Sequence, residues 1–336
     1  MQFHIHNHIL TGYSGTPDMT SLHLPEHVRK IEFYTFRNWN ILETITLPEE
    51  LKSIEYGAFE DCQSLKEIQF PEHLEHIGHM AFLHCNALKN IHLPEHVNHI
   101  GYGAFADCQT LEEISVSENN PCFTSVDGVL YDKSVTELYC CPAGKKSVQI
   151  PDTVQRIRKF AFAGCRHLTE IHIPESVNYI QYGAFRWCQS LKTILIPLSV
   201  TQCENPDFPP DTLVQVQGNS GIMEYYPCEA VSELCAILIL EKDFSVTMPH
   251  KIKYDLILRM LFAEISGTES YVKKNFAKIF KFLIDQNDPD KILKILEMQK
   301  FVSKRNINNF ISYADQHDHQ ECRKILENYK KALRVM

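Results

Sequence analysis

Leu65-Lys66-Glu67-Ile68-Gln69-Phe70-Pro71 alternates apolar and polar side chains and stops at a proline. Twenty-three residues earlier the chain reads Leu42-Glu43-Thr44-Ile45-Thr46-Leu47-Pro48, and 23 residues later Leu88-Lys89-Asn90-Ile91-His92-Leu93-Pro94. Period-2 alternation over so few residues predicts a short, half-buried strand. Proline ends it, because it has no N–H to donate to a strand ladder. The row of prolines runs Pro25, Pro48, Pro71, Pro94, and resumes at Pro151, Pro174 and Pro197. A fixed period between about 20 and 50 residues is the mark of a solenoid, not of a single globular core.

With each proline as position 1, other columns emerge. Position 7 is Ile31, Ile54, Ile77, Ile100, Ile157 and Ile180. Position 12 is Phe36, Phe59, Phe82, Phe105, Phe162 and Phe185, preceded by Ala in all but the first. Position 15 is Trp39, then Cys62, Cys85, Cys108, Cys165 and Cys188. Leu42 and Ile45 begin the columns at positions 18 and 21. One coil cannot bury its apolar side alone, so each column must stack on the same column of its neighbours. Strands of successive coils then lie about 4.8 Å apart in a parallel sheet.

These columns resemble the BspA-like (Treponema-type) leucine-rich repeat, whose unit reads LxxIxLP followed by xxVxxIxxGAFxxC. One unit here runs from Leu65 to Pro71 and on through Leu74, Ile77, Ala81, Phe82 and Cys85. The resemblance covers residues 20 to 200 or so. It implies an α/β repeat fold, a leucine-rich repeat solenoid with its parallel sheet on the concave side. Thr35 and Trp39, in place of Ala and Cys, fit a terminal repeat.

Pro94 predicts a member of the row at 117, which is Ser117, and the next member is Pro151. The interval therefore holds 11 extra residues. Phe123 to Val126, Asp127-Gly128 and Val129 to Tyr131 read as a hairpin, with another strand from Val135 to Cys141. The 117–150 segment is either a β-hairpin variant of the repeat, as the family resemblance implies, or a binding loop. Residues 1–24 read as an N-terminal cap, 25–227 as the solenoid and 228–336 as an α-helical domain. The helical period appears in Val231, Leu234, Cys235, Leu238 and Ile239, in Phe276, Ile279, Phe280, Leu283 and Ile284, and in two later groups starting at Ile307 and Cys322. Met248-Pro249 and Asp288-Pro289 read as helix starts.

Charge divides at the same boundary. Residues 1–227 hold 15 Lys and Arg against 27 Asp and Glu, a net −12, whereas 228–336 hold 18 against 15, a net +3. An acidic scaffold lacks the clustered cations that a phosphate-binding surface needs. Lys273, Lys274, Lys278 and Lys281 flank an apolar helical face and read as its solvated side. No secretory signal and no apolar run of membrane-spanning length occurs. Five of the 12 cysteines share one core column, which fits reduced thiols and a cytoplasmic location; relatives with this repeat are often cell-surface proteins, which is the alternative.

The sequence carries no nucleophile elbow, HExxH, Walker or dinucleotide motif, so no catalytic residue and no cofactor is expected. Zinc needs paired cysteine spacing, which is absent. Cys140-Cys141 reads as two alternating strand residues. His73 and His96 share position 3, and His76 and His99 share position 6, which makes them weak metal candidates or a pH switch, as are the alternating His4, His6 and His8. Positions 20 and 22 point away from the core and vary between coils: Glu67 and Gln69, Asn90 and His92, Glu113 and Ser115, Glu170 and His172. A constant core under a varied face predicts a protein-binding scaffold that uses the concave face for a protein partner. The alternatives are a bacterial cell-surface adhesin or host-matrix binder, and a working helical domain with the solenoid as spacer.

Overall fold

A computed structural model describes residues 1–219, 221–227, 239, 242, 244–245 and 250–335. The chain forms two compact units, Met1–Gln217 with Glu224–Glu241, and Gly218–Met223 with Lys242–Met336.

The first unit is a β-solenoid, and each coil contributes two strands where the sequence reading expected one. The expected strands precede the prolines: β3 (Ser21–His23), β5 (Thr44–Thr46), β7 (Glu67–Ile68), β9 (Asn90–Leu93), β11 (Glu113–Val116), β16 (Glu170–His172), β18 (Thr193–Ile196) and β20 (Leu213–Gln217). Their register is one coil per step, with Ile45 opposite Ile68 and Ile91 opposite Ile114. A second set of parallel strands runs through position 7, in one sheet before the insert, β4 (Lys30–Ile31), β6 (Ser53–Ile54), β8 (His76–Ile77) and β10 (His99–Ile100), and in another after it, β15 (Arg156–Ile157), β17 (Tyr179–Ile180) and β19 (Gln202–Cys203). Two-residue strands leave no alternation to read, which is why the sequence shows them only as an isoleucine column.

Between the sheets, phenylalanine stacks on phenylalanine. Phe36, Phe59, Phe82 and Phe105 have ring centroids 5.1, 5.1 and 5.6 Å apart, and Phe162, Phe185 and Phe208 continue at 5.3 and 5.1 Å. The backbone closes a third rung beside them, as in Phe59 N–H to Ala81 O at 2.8 Å and Phe82 N–H to Ala104 O at 2.8 Å. The turn on this side places positions 10 and 14 at positive φ in six coils: Tyr34, Gly57, Met80, Gly103, Phe160 and Gly183, then Asn38, Asp61, His84, Asp107, Gly164 and Trp187. Asn, Asp and Gly tolerate that conformation best, so position 14 is mostly polar for a backbone reason.

The cysteine column has a hydrogen-bonding role. The Sγ of Cys62, Cys85 and Cys108 donates to the carbonyl of Phe36, Phe59 and Phe82 at 3.1, 3.2 and 3.1 Å, and Cys188 to Phe162 at 3.0 Å. Each acceptor is the phenylalanine of the preceding coil. The same carbonyls also accept a backbone N–H, as Phe59 O does from Cys62 N–H at 3.1 Å, so the weak thiol donor adds a second bond to a buried carbonyl. Burial pushes the Cys62 and Cys108 thiols up to about 12.

The insert between Ser117 and Pro151 joins the second sheet. β12 (Phe123–Val126) and β13 (Val129–Asp132) form an antiparallel hairpin around Asp127 and Gly128, both at positive φ. β14 (Glu137–Cys140) returns antiparallel to β13 and then pairs in parallel with β15. Cys141 takes the phenylalanine slot of this variant coil: its N–H reaches Ala161 O at 2.7 Å, and its carbonyl receives the Cys165 thiol at 3.6 Å. On the turn side the insert does not intervene, since Asp107 N–H bonds Ala163 O directly at 3.0 Å.

At the N-terminus, β1 (Gln2–His6) and β2 (Ile9–Ser14) form an antiparallel hairpin that pairs with β4. Tyr13 of this hairpin lies 6.0 Å from Phe36 and 5.0 Å from Trp39, extending the aromatic column by one ring. A hairpin at this position covers the open edge that a solenoid otherwise exposes.

The second unit contains α1 (His250–Phe262), α2 (Thr268–Asp285), α3 (Pro289–Glu297), α4 (Ile307–Gln316) and α5 (Gln320–Val335). Phe276, Ile279, Phe280, Leu283 and Ile284 of α2 are all buried, and Phe280 meets Phe310 at 4.7 Å. The Asp288 side chain caps α3 by accepting from Lys291 N–H at 3.1 Å, with Pro289 in the first turn. Lys273, Lys274, Lys278 and Lys281 stand exposed. Val231, Leu234, Cys235 and Leu238, and the helix start expected at Met248-Pro249, lie outside the described residues.

Buried, raised thiols have a direct consequence. At pH 8 the native protein is expected to leave Cys62, Cys85, Cys108, Cys165 and Cys188 unmodified by iodoacetamide, with full reaction only after denaturation. Peptide mass mapping checks this, and alkylation of the column in the folded protein would contradict the buried ladder.

Candidate binding face

The face formed by the strands before the prolines carries the residues that the sequence singled out. Glu67, Gln69, Asn90, His92, Glu113, Glu170 and His172 are exposed there, and Ser115 is half-buried. In-register pairing sets Glu113 beside Asn90 and Ser115 beside His92 on β11 and β9. The His92 Nδ1 and Ser115 Oγ lie 3.0 Å apart. Glu170 and His172 belong to β16, which pairs with β18 beyond the insert. The eight residues therefore fall into two groups, five on β7, β9 and β11 with Gln69 just past β7, and two on β16.

Two hollows follow the first group. One, of about 420 Å³, lies over β5 and β7 and is lined by Thr44, Thr46, Glu67 and Gln69, with Glu49 and Glu72 past the prolines. The other, of about 770 Å³, is lined by Glu67, Gln69, Asn90, His92, Glu113 and Ser115, together with Lys66 and Lys89. It runs along a seam, because β3, β5 and β7 form one ladder and β9 and β11 another. The hairpin tip stands at the far side: Ile114 N–H donates to Gly128 O at 2.9 Å and Ser125 Oγ to Ile114 O at 2.6 Å. The insert is thus both part of the coil stack and a border of the strand face.

The four histidines lie elsewhere, after the prolines and on the second ladder. His76 and His99 stack face to face, 4.5 Å between centroids and 2° from parallel, while His73 and His96 meet edge to face at 6.1 Å. Parallel rings direct their nitrogen lone pairs side by side rather than toward a common point. Among the described residues no group of three or more His, Cys, Asp or Glu side chains is placed to hold a metal ion. His79 joins the stack, 5.1 Å from Tyr102 and 6.3 Å from His99. Burial, the neighbouring histidine and the Arg158 cation hold both His99 and His79 below the ordinary imidazole range.

Sequence reading missed a charged chain on the turn side. His84 lies between two carboxylates, with Nδ1 3.1 Å from Asp61 and Nε2 3.3 Å from Asp107. Arg166 reaches Asp107 from the other side of the insert at 3.0 Å. Burial pushes the Asp107 carboxyl above its usual range, and Arg166 and His84 pull against that shift. The polar residues of position 14 were the available signal, but the 59-residue separation of Asp107 from Arg166 hides their contact until the insert is placed.

The family model of the BspA type leucine rich repeat region matches six copies, over residues 11–126 and 137–226. No curated protein matches the chain. Among solved structures, a leucine-rich repeat protein from Eubacterium ventriosum is similar at 23% identity, covering 67% of this chain and 72% of that one, with a TM-score of 0.53. The pneumococcal vaccine antigen PcpA is similar at 24% identity over 60% of this chain and 62% of its own, TM-score 0.48. A leucine-rich repeat protein from Bacteroides ovatus is similar at 32% identity over 55% of this chain and 45% of its own, TM-score 0.41. The chain thus spans less than two thirds of the last two. Among the described residues no helix is long and apolar enough to cross a membrane.

The histidine stack sets a pH dependence. A histidine whose folded pKa lies below its unfolded value of about 6.5 is protonated more readily in the unfolded chain. Its contribution to stability is complete above about pH 6.5 and is lost as pH falls through the folded pKa. The groups facing His79 and His99 are His76, Glu55, Arg158 and Lys159. The melting midpoint is expected to fall between about pH 7.5 and pH 5.5, and His99→Gln to fall less. Equal slopes for both proteins would contradict the assignment.

Proposed function

This chain belongs to the BspA-type leucine-rich repeat family, and from that premise we propose that it is a non-enzymatic protein-binding scaffold working through the face of β5, β7, β9 and β11. The observation that carries this reading is the contrast between columns. Inward positions repeat the same residue in coil after coil, while the outward pairs Thr44/Thr46, Glu67/Gln69, Asn90/His92 and Glu113/Ser115 differ in every coil and line both hollows. Solenoids offer extended surfaces of this kind, and recognition by several shallow contacts needs no deep pocket. Glu170 and His172 extend the same reading to the coils after the insert.

The ten described cysteines are free, and the reduced thiol column fits a cytoplasmic setting. A second reading is an adhesin at a bacterial surface, favoured by the likeness to PcpA, named as a vaccine antigen. Cell fractionation separates the two: recovery of the native protein wholly in the cytosol removes the adhesin.

A photo-crosslinking residue placed at Asn90 in the full chain is expected to capture a protein partner in cells of the native organism. The same residue at exposed Gln155, on the opposite sheet's side, is expected to capture none. Capture at Gln155 and not at Asn90 would overturn the assigned face.

A further inference from the structure

We propose that the strand face receives an extended, lysine- and arginine-rich segment of its protein partner. The inference rests on the face assigned above and adds the chemistry of the occupant.

The hollow over β5 and β7 has three carboxylates on its walls, Glu49, Glu67 and Glu72, and no Lys or Arg. Its other polar walls are the neutral Thr44, Thr46 and Gln69. The adjoining hollow adds Glu113, with Lys66 and Lys89 as the only cations among its lining residues. Lys66 is already held by Glu43 at 2.7 Å. The surplus along the combined groove is therefore negative, and complementary charge is what steers and registers a partner there.

Two of these carboxylates belong to a column. Position 2, the residue after the proline, is Glu26, Glu49, Glu72, Glu95, Asp152 and Glu175. It is acidic in six coils, although the adjacent outward positions vary freely. Stacking sets successive members about one strand spacing, roughly 5 Å, apart, where like charges disfavour pairing. Elsewhere the solenoid balances such ladders across the same step, as in Arg37–Glu60 at 2.9 Å and Lys52–Glu75 at 2.8 Å. None of the six position-2 acids forms an ion pair among the described residues.

Geometry selects the class of cation. The carboxylates are strung out along the stack and converge in no group of three that could hold a metal ion among the described residues. A linear row of charges suits a linear polycation. Crossing the four strands β5 to β11 spans roughly 14 Å, which about four residues of extended chain cover. Lysine and arginine side chains, long and flexible, absorb the difference between the peptide repeat and the coil spacing. Phosphate-bearing partners are repelled by the same row.

The test uses the full chain and a fluorescein-labelled octapeptide alternating arginine and serine, with a glutamate–serine octapeptide as control, read by fluorescence anisotropy. The basic peptide is expected to bind and the acidic one not. Raising salt from about 0.05 M to about 0.5 M is expected to weaken binding tenfold or more. The triple substitution Glu49→Gln, Glu72→Gln, Glu95→Gln is expected to weaken it at least tenfold while leaving the melting midpoint equal or higher, because repulsion is relieved. Groove-filling Asn90→Trp is expected to weaken it as well. No binding of the basic peptide overturns the inference, as does binding that the triple variant and Asn90→Trp leave unchanged. Capture of a partner at Asn90 by the crosslinker, with no affinity for the basic peptide, overturns this inference alone and keeps the face. Failure of that capture at Asn90 counts against the face itself.

Discussion

Everything in the first unit depends on like side chains stacking on like across a step of one coil. The step is fixed by backbone hydrogen bonds on three sides, two parallel ladders and the turn rung between the phenylalanine and alanine columns. Once that step is set, a side chain that fits one coil fits all. Phenylalanine rings stay about 5 Å apart, close to the strand spacing, so the aromatic column and the ladders reinforce each other. The cysteines belong to the same scheme: each thiol donates to a carbonyl one coil back.

The constraint explains where the chain has freedom. Inward columns cannot vary without opening a cavity or breaking a rung, and a buried large-to-small change of this kind costs about 3–5 kcal/mol for phenylalanine. Outward positions bear no such cost, and there the residues change from coil to coil. The insert obeys both rules. It keeps Cys141 in the phenylalanine slot and starts a new parallel ladder from β14 to β15, while its hairpin projects beside β11. On the turn side it is bypassed, and Asp107 and Arg166 tie the flanking coils together.

Much of this was legible in the sequence because a period of 23 residues repeats buried chemistry. The prolines located the first set of strands, and Phe36, Cys62 and their successors located the core. The hairpin at Asp127-Gly128 and the cap at Asp288-Pro289 were readable from turn and capping residues alone. The second ladder was not, because His76–Ile77 and its equivalents are too short to alternate. The contact of His84 with both Asp61 and Asp107 was hidden for a different reason: position 14 looks like solvent-facing polarity until its left-handed backbone is known. On the strand face, positions 20 and 22 are turned to solvent as the alternation implied, with Ser115 half-buried. Their division into two groups, and the grooves between strands, depend on the seam after β7 and on the insert, which no single repeat encodes.

If like columns stacking on like fix the step, coils are interchangeable in register. Excising residues 48–70 removes one whole period and sets Pro25 to Leu47 against Pro71 to Leu93 with every inward column preserved. The shortened chain is expected to keep its far-ultraviolet circular dichroism per residue and to melt cooperatively at a lower midpoint. Loss of cooperative melting, with exposure of the apolar core to a hydrophobic dye, would contradict the claim.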